Sequence, residues 1–179
     1  MEKLRTIEMN RLSVEEFHEA KKMPLVVVLD DVRSLYNVGS VFRTADAFRV
    51  EAIYLCGITA TPDGTLKAQQ EIHKTALGAE ESVEWRYFAN ALEAIRELKA
   101  RGYKLLAVEQ CHGSTMLQNY AIDNQPSAVV LGNEVKGVHQ EVIDECDGCL
   151  EIPQFGTKHS LNVSTTAGII IWKFAEVTL

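Results

Sequence analysis

Residues 25–30 read LVVVLD, an unbroken apolar run with three consecutive valines, closed by an acid. No polar residue alternates with the apolar ones, so the run is expected to be a strand covered on both faces, as in the middle of a parallel sheet. Just upstream, MNRLSVEEFHEAKKM (9–23) has Ser13 followed three residues later by Glu16, the spacing of a capping box. That predicts a short leading helix punctuated by Pro24. Just downstream, SLYNVGSVFRTADAF (34–48) sets Val38, Val41, Phe42, Ala45 and Phe48 at helical spacing, and Ala52–Gly57 (AIYLCG) reads as a second strand. The unit is β-α-β.

Further out, the segment between Ile58 and Val83 turns polar, and Pro62 and Gly64 predict an extended surface loop with a short helix at His73–Leu77. Asn90 and Glu93 open another capped helix, NALEAIRELKARG, which Gly102 can end in the left-handed conformation. Strands are expected at Lys104–Glu109, Ala128–Leu131 and Cys149–Ile152, with a helix near His139–Cys146 and a closing helix over Leu161–Val177. Strands alternating with helices define an α/β class with a mostly parallel open sheet. The organisation expected is a helical extension, 1–23, ahead of one domain, 24–179.

Composition supports a folded chain. With 179 residues, 46% of them apolar and 24% charged, and only 4 Pro and 11 Gly, collagen-like, low-complexity and disordered readings are excluded. The first ten residues lack the apolar core of a signal peptide, and the apolar stretch 161–179 is broken by Asn162, Ser164, Thr165, Thr166, Lys173 and Glu176. A cytoplasmic protein with no membrane association is expected. The formal charge is −7, and residues 1–50 are balanced with 8 basic and 8 acidic side chains, so the excess lies later. Glu141, Asp144, Glu145, Asp147 and Glu151 have no basic residue among them and are expected to form a solvated face that a nucleic acid would avoid.

Several signatures are absent: no G-x-G-x-x-G follows the first strand, and there is no P-loop, no H-E-x-x-H and no G-x-S-x-G. Cys146-Asp-Gly-Cys149 has metal-ligand spacing, with Cys111-His112 as conceivable partners. In a parallel sheet, however, Cys111 follows the carboxyl end of its strand whereas Cys146 precedes the amino end of the next. No metal is therefore expected, and the cysteines read as buried thiols.

Three polar segments fall where a parallel sheet presents its carboxyl edge, the place where open α/β sheets bind ligands. They are SLYNVGSVFRTADAF (34–48), VVLGNEVKGV (129–138) and EIPQFGTKHSLNVSTTAG (151–168). Together, in this order and across Leu25–Trp172, they resemble motifs one, two and three of the SpoU-type (TrmH-like) branch of the SPOUT methyltransferases. That resemblance implies a carboxyl-terminal trefoil knot, S-adenosylmethionine as cofactor, an RNA ribose 2′-hydroxyl as methyl acceptor and a homodimer whose interface includes the last helix. Ile169, Ile170, Ile171, Trp172 and Phe174 are apolar on too many faces for a helix with one solvated side, in keeping with a second subunit.

By the same resemblance the catalytic candidates are Asn37, Arg43, Glu134, Ser160 and Asn162, and the cofactor candidates are Leu131, Gly132, Asn133, Ile152, Ser160 and Leu161. Each also has an ordinary reading. Asn37 and Ser160 are natural helix caps, Glu134 suits the first turn of a helix, and Arg43, on the face opposite the apolar stripe, suits solvent. Gly132 would allow a ligand to approach the backbone closely. A guanidinium stays protonated at neutral pH, so Arg43 is expected to hold a phosphate and stabilise developing alkoxide charge rather than act as a base. Ser160 and Asn37 would orient the hydroxyl, and Glu134 would position or polarise the site. Transfer RNA is expected ahead of ribosomal RNA by analogy with compact relatives. The alternatives are a non-catalytic RNA-binding protein of the same fold and a flavodoxin-like phosphate binder.

Overall fold

The computed structural model describes residues 1–178; Leu179, the last residue of the expected domain, lies outside them. The central run forms β1 (Met23–Asp30), flanked in parallel by β2 (Val50–Cys56) and β6 (Ser127–Leu131). With β3 (Trp85–Phe88), β4 (Lys104–Val108), β5 (Thr115–Met116) and β7 (Gly148–Glu151), the order is β3-β2-β1-β6-β4-β7-β5 and all six pairings are parallel. The order places β6 between β1 and β4 and returns β7 to the far side of β4. It is consistent with a carboxyl-terminal knot.

Leu25 through Leu29 are all fully buried, and the strand's alternation assigns them to two cores. Leu25, Val27 and Leu29 meet Val38, Val41 and Phe42 of α2 (Leu35–Ala47) and Ile170, Ile171 and Phe174 of α7 (Val163–Thr178). Val26 and Val28 meet Ala94, Ile95 and Leu98 of α5 (Ala91–Ala100) and Val142 of α6 (Gln140–Glu145). Each such side chain contributes roughly 1.5–3 kcal/mol relative to exposure, which is why the uninterrupted apolar run survives only in a covered strand. The leading helix α1 (Val14–Glu19) has the expected capping box on Ser13 and Glu16, and buries Phe17 in the first of these cores.

The polar segment after β2 is not an extended loop. Thr65 caps α3 (Leu66–Ala76), whose Ala68, Ile72 and Ala76 form a narrow buried stripe, and the short α4 (Ala79–Ser82) follows. Polar side chains on the remaining faces of α3 hid a three-residue stripe that is nonetheless enough to pack against α2. The contact is close: a Cβ on Gly39 would lie 2.2 Å from both the Ile72 carbonyl and the Thr75 hydroxyl. Strands β3 and β5 also escape the sequence pattern, one being a half-exposed edge strand and the other two residues long.

Candidate active site

In an all-parallel sheet the loops after β1, β4, β6 and β7 emerge at one edge, and here those after β4, β6 and β7 surround a cleft of about 1000 Å³. All six cofactor candidates, Leu131, Gly132, Asn133, Ile152, Ser160 and Leu161, line it, as do Glu134 and Asn162. Asn37 and Arg43 do not.

The loop after β6 closes on itself. Asn133 and Gly137 exchange backbone hydrogen bonds of 3.1 and 2.9 Å, while Asn133 Oδ1 accepts from the Val135 and Lys136 amides and its Nδ2 donates to the Asp31 carbonyl. Both the backbone and the side chain of Asn133 are thereby committed to closing the loop and tying it to the end of β1. Gly132 is required for the same reason: a Cβ there would lie 2.1 Å from Gly137 C and Val138 N. The sequence suggested close approach of a ligand, but the neighbour that excludes a side chain is this protein's own backbone. Glu109, which the sequence reading placed in a strand and gave no role, holds the loop's far end by accepting from the Val138 amide at 3.1 Å.

Glu134 turns back across the edge to β1. Its carboxylate accepts from the Arg33 and Ser34 amides, each at 3.0 Å, and from Asn37 Nδ2 at 3.1 Å. Partial burial acts to raise its pKa, but these donors, with its own amide, outweigh it and hold the carboxyl below its ordinary value. Asn37 Oδ1 in turn accepts from Asn162 Nδ2 at 3.1 Å, and Asn162 Oδ1 accepts from the Ser164 and Thr165 amides at the start of α7. One hydrogen-bonded chain, Glu134–Asn37–Asn162, thus joins the three polar segments.

Two expected assignments change. The cap of α7 is Asn162 and not Ser160, because the helix begins at Val163 and Ser160 is left exposed on the cleft wall. The cap of α2 is Ser34, whose hydroxyl accepts from the Asn37 amide, which frees the Asn37 side chain for the chain just described. Arg43 is exposed, with no hydrogen-bond or ion-pair partner among the described residues. Six residues along α2 from Asn37, at 1.5 Å per residue, it lies about 9 Å further from the carboxyl edge.

Beside the cleft, Asp30 and His139 clamp β1 to the start of α6. Asp30 Oδ2 accepts from the His139 amide at 3.1 Å and contacts Nδ1 at 2.8 Å, and Asp31 lies 3.7 Å from Nε2. The hydrogen bond to Asp30, then its charge, raise the His139 pKa against a small desolvation effect. These are the residues among those described whose ligand atoms cluster closely enough for a metal, yet Asp30 and His139 already satisfy one another. Adjacent acids at a strand end were the available signal for the clamp, and its partner is over a hundred residues away.

Cys111 and Cys146 are at opposite sheet edges as expected, but Cys111 Sγ lies 3.1 Å from Cys149 Sγ. Burial pushes the Cys146 and Cys149 thiols up to about 12, so neither is a thiolate at neutral pH. The acidic cluster is not a uniform solvated face. Glu145 pairs with Arg96, Asp147 accepts from the Leu105 amide, and Asp144 and Glu151 line the cleft.

An open parallel sheet with a ligand-sized cleft across its carboxyl edge defines an α/β protein of the ligand-binding class. Within that class, the chain belongs to the SpoU rRNA Methylase family, whose family model matches residues 24–172. It is 31% identical over 163 residues to the 23S rRNA (guanosine-2'-O-)-methyltransferase RlmB of Neisseria meningitidis serogroup B, covering 90% of this chain and 62% of that protein. Among solved structures, the AdoMet-bound rRNA methyltransferase of Sinorhizobium meliloti superposes with a TM-score of 0.80 at 27% identity, covering 91% of this chain and 60% of that one. The A. aeolicus TrmH/SpoU tRNA modifying enzyme gives 0.77 at 25% identity, covering 91% and 81%. The chain spans about three fifths of the length of the curated relatives it matches. Among the described residues, no helix is long and apolar enough to cross a membrane.

Proposed function

We propose that this chain is an S-adenosylmethionine-dependent RNA methyltransferase acting on a ribose 2′-hydroxyl. The observation that carries the proposal is the Glu134–Asn37–Asn162 chain, which ties three distant segments into one polar floor beside a cofactor-sized cleft. The cleft fits the cofactor: Leu131, Ile152 and Leu161 offer apolar contact for an adenine, and the closed loop at Gly132–Val138 forms a fixed wall beside them. S-adenosylmethionine, when bound, supplies an electrophilic sulfonium methyl group.

The residues then have separable tasks. Asn37, fixed at both ends of its amide, is held rigidly where the hydroxyl of a substrate ribose must be oriented. Ser160, exposed on the cleft wall, is available to the same hydroxyl. Glu134, saturated by three donors besides its own amide, positions Asn37 and the Arg33–Ser34 turn. Arg43 serves as a fixed positive charge for an RNA phosphate, supplied across the α2–α7 face. On that face α7 leaves Ile169 and Val177 exposed, and Trp172, which meets Phe48 edge to face at 5.7 Å, remains 50% exposed. A second copy covering it forms the proposed homodimer.

The relatives do not bear out a preference for transfer RNA: those of N. meningitidis and S. meliloti are named for ribosomal RNA, and that of A. aeolicus for tRNA. Ribosomal RNA is therefore the first substrate to test. The experiment is incubation with methyl-labelled S-adenosylmethionine and, separately, ribosomal and transfer RNA, with mapping of 2′-O-methyl positions. Wild type should label one class; Arg43→Ala should lose transfer while retaining cofactor affinity by calorimetry. Cofactor and RNA binding with no transfer to either RNA would favour the non-catalytic alternative.

A further inference from the structure

We infer that the carboxyl edge carries a track for single-stranded RNA, with phosphates on Arg33, Lys67, Lys136 and Lys158 and a base stacked on Phe155. The inference rests on the RNA reading above and adds to it the residues that recognise the polymer outside the cleft.

The observation is the state of the charges at this edge. Some cations elsewhere are neutralised in pairs, Arg86 with Glu97, Arg96 with Glu145, Arg101 with Glu51 and Lys104 with Asp123, while others, Arg43 among them, stand alone among the described residues. Arg33, Lys67, Lys136 and Lys158 are all exposed, and none has an ion-pair partner among the described residues. Glu71, one turn from Lys67, is taken by Lys74 at 2.5 Å. Several carboxylates of this edge are turned onto backbone amides instead: Asp31 onto Ile58, Glu109 onto Gln110 and Val138, and Glu134 onto Arg33 and Ser34. Asp63, Glu141, Asp144 and Glu151 are exceptions. A chain of net charge −7 thereby presents separated, uncommitted cations on one edge, which is what a polyanion requires.

The second observation is Phe155, 96% exposed in the loop after β7 and the most exposed aromatic residue among those described. Three residues from Lys158 and beside the cleft, it offers a bare ring at the point where an unpaired base would leave the site. Aromatic stacking combined with spaced cations is how single strands are held without reading their sequence.

The test is fluorescence anisotropy with a labelled 12-nucleotide oligouridylate, titrated with salt. At about 0.7 per phosphate contact, the four contacts contribute about −2.8 to the slope of log K against log salt, beside any share of Arg43. Each single alanine substitution of the four cations should flatten the slope by about 0.7, and the quadruple variant by about 2.8. Phe155→Ala should weaken binding roughly five- to a hundredfold with the slope unchanged. A control triple, Lys3→Ala, Arg11→Ala and Lys21→Ala, should leave both unchanged, and circular dichroism melts establish that every variant is folded. No binding by wild type, an unchanged slope in the quadruple variant, an unweakened Phe155→Ala, flattening by the control triple, or equal competition by polyglutamate would each overturn the track. Calorimetry with S-adenosylmethionine on wild type is the independent arm. Its failure would remove the methyltransferase reading and leave the track standing.

Discussion

Gly132→Ala separates two explanations of the same residue. If Gly132 exists to let a ligand approach, an added methyl group should damage binding and leave the fold alone. The structure predicts otherwise, because the methyl carbon would fall 2.1 Å from Gly137 C and Val138 N, about 1.3 Å short of ordinary contact at 3.4 Å. Relieving that overlap by opening the loop stretches the 3.1 and 2.9 Å bonds between Asn133 and Gly137, and the 3.1 Å bond from Val138 to Glu109, beyond hydrogen-bonding range. Three bonds at roughly 0.5–1.5 kcal/mol each give a loss of about 1.5–4.5 kcal/mol. For a chain of this length that lowers Tm by roughly 3–18 °C, at about 2–4 °C per kcal/mol. The cofactor should also bind at least about tenfold more weakly, since the cleft's backbone groups move by more than ~1 Å. Scanning calorimetry and titration with S-adenosylmethionine measure both losses. Gly156→Ala is the control, because a Cβ there meets nothing within 4 Å. Weakened binding at wild-type Tm would refute the loop-closure argument and restore the ligand-approach explanation.

Asn37→Ala removes both central bonds of the chain at an accessible site, so Tm should fall by only a few degrees while turnover falls about a hundredfold, and Asn162→Ala added to it should cost little more turnover. Additive losses in that double-mutant cycle would mean that the two asparagines act separately. His139 has a raised folded pKa, so its charged pairing with Asp30 stabilises fully below about pH 6.5 and is lost as pH rises through the folded value. The stability gap between wild type and His139→Gln in urea melts should therefore narrow from pH 5.5 to pH 8.5, and a gap that widens would contradict the clamp. Gly39→Ala, which forces α2 and α3 apart, should cost about 1–3 kcal/mol in the same melts.

What the sequence disclosed was what is local. The β1 run, the Ser13–Glu16 box and the Asn90 cap each encode their structure within a few residues, and all appear as expected. The three polar segments also meet at one sheet edge, because a parallel sheet leaves them no other place. Hidden features were those decided by partners remote in sequence. Glu145 looked unpaired because Arg96 lies 49 residues away, and Gly132 looked like a ligand contact because the backbone it avoids belongs to the same loop folded back. Ser160 and Asn162 are both good caps, and only the observed start of α7 selects between them.

The chemistry of the central chain also limits what it can do. Asn37 and Asn162 carry amides, which neither take nor give a proton at neutral pH, and Glu134 is held below the ordinary carboxylate range by donors that fill its lone pairs. A carboxylate so stabilised is a weak base, since every bond that lowers its pKa also lowers its appetite for a proton. Arg43 is a permanent cation. On the proposed reading none of the four is therefore suited to abstract the ribose proton: Asn37, Asn162 and Glu134 would fix where the hydroxyl lies, and Arg43 would meet a phosphate from its separate place on α2. The structural cost of this arrangement is visible in its wiring: two segments lying 97 and 125 residues beyond Asn37 must each close their loop correctly before Asn37 is held at both ends.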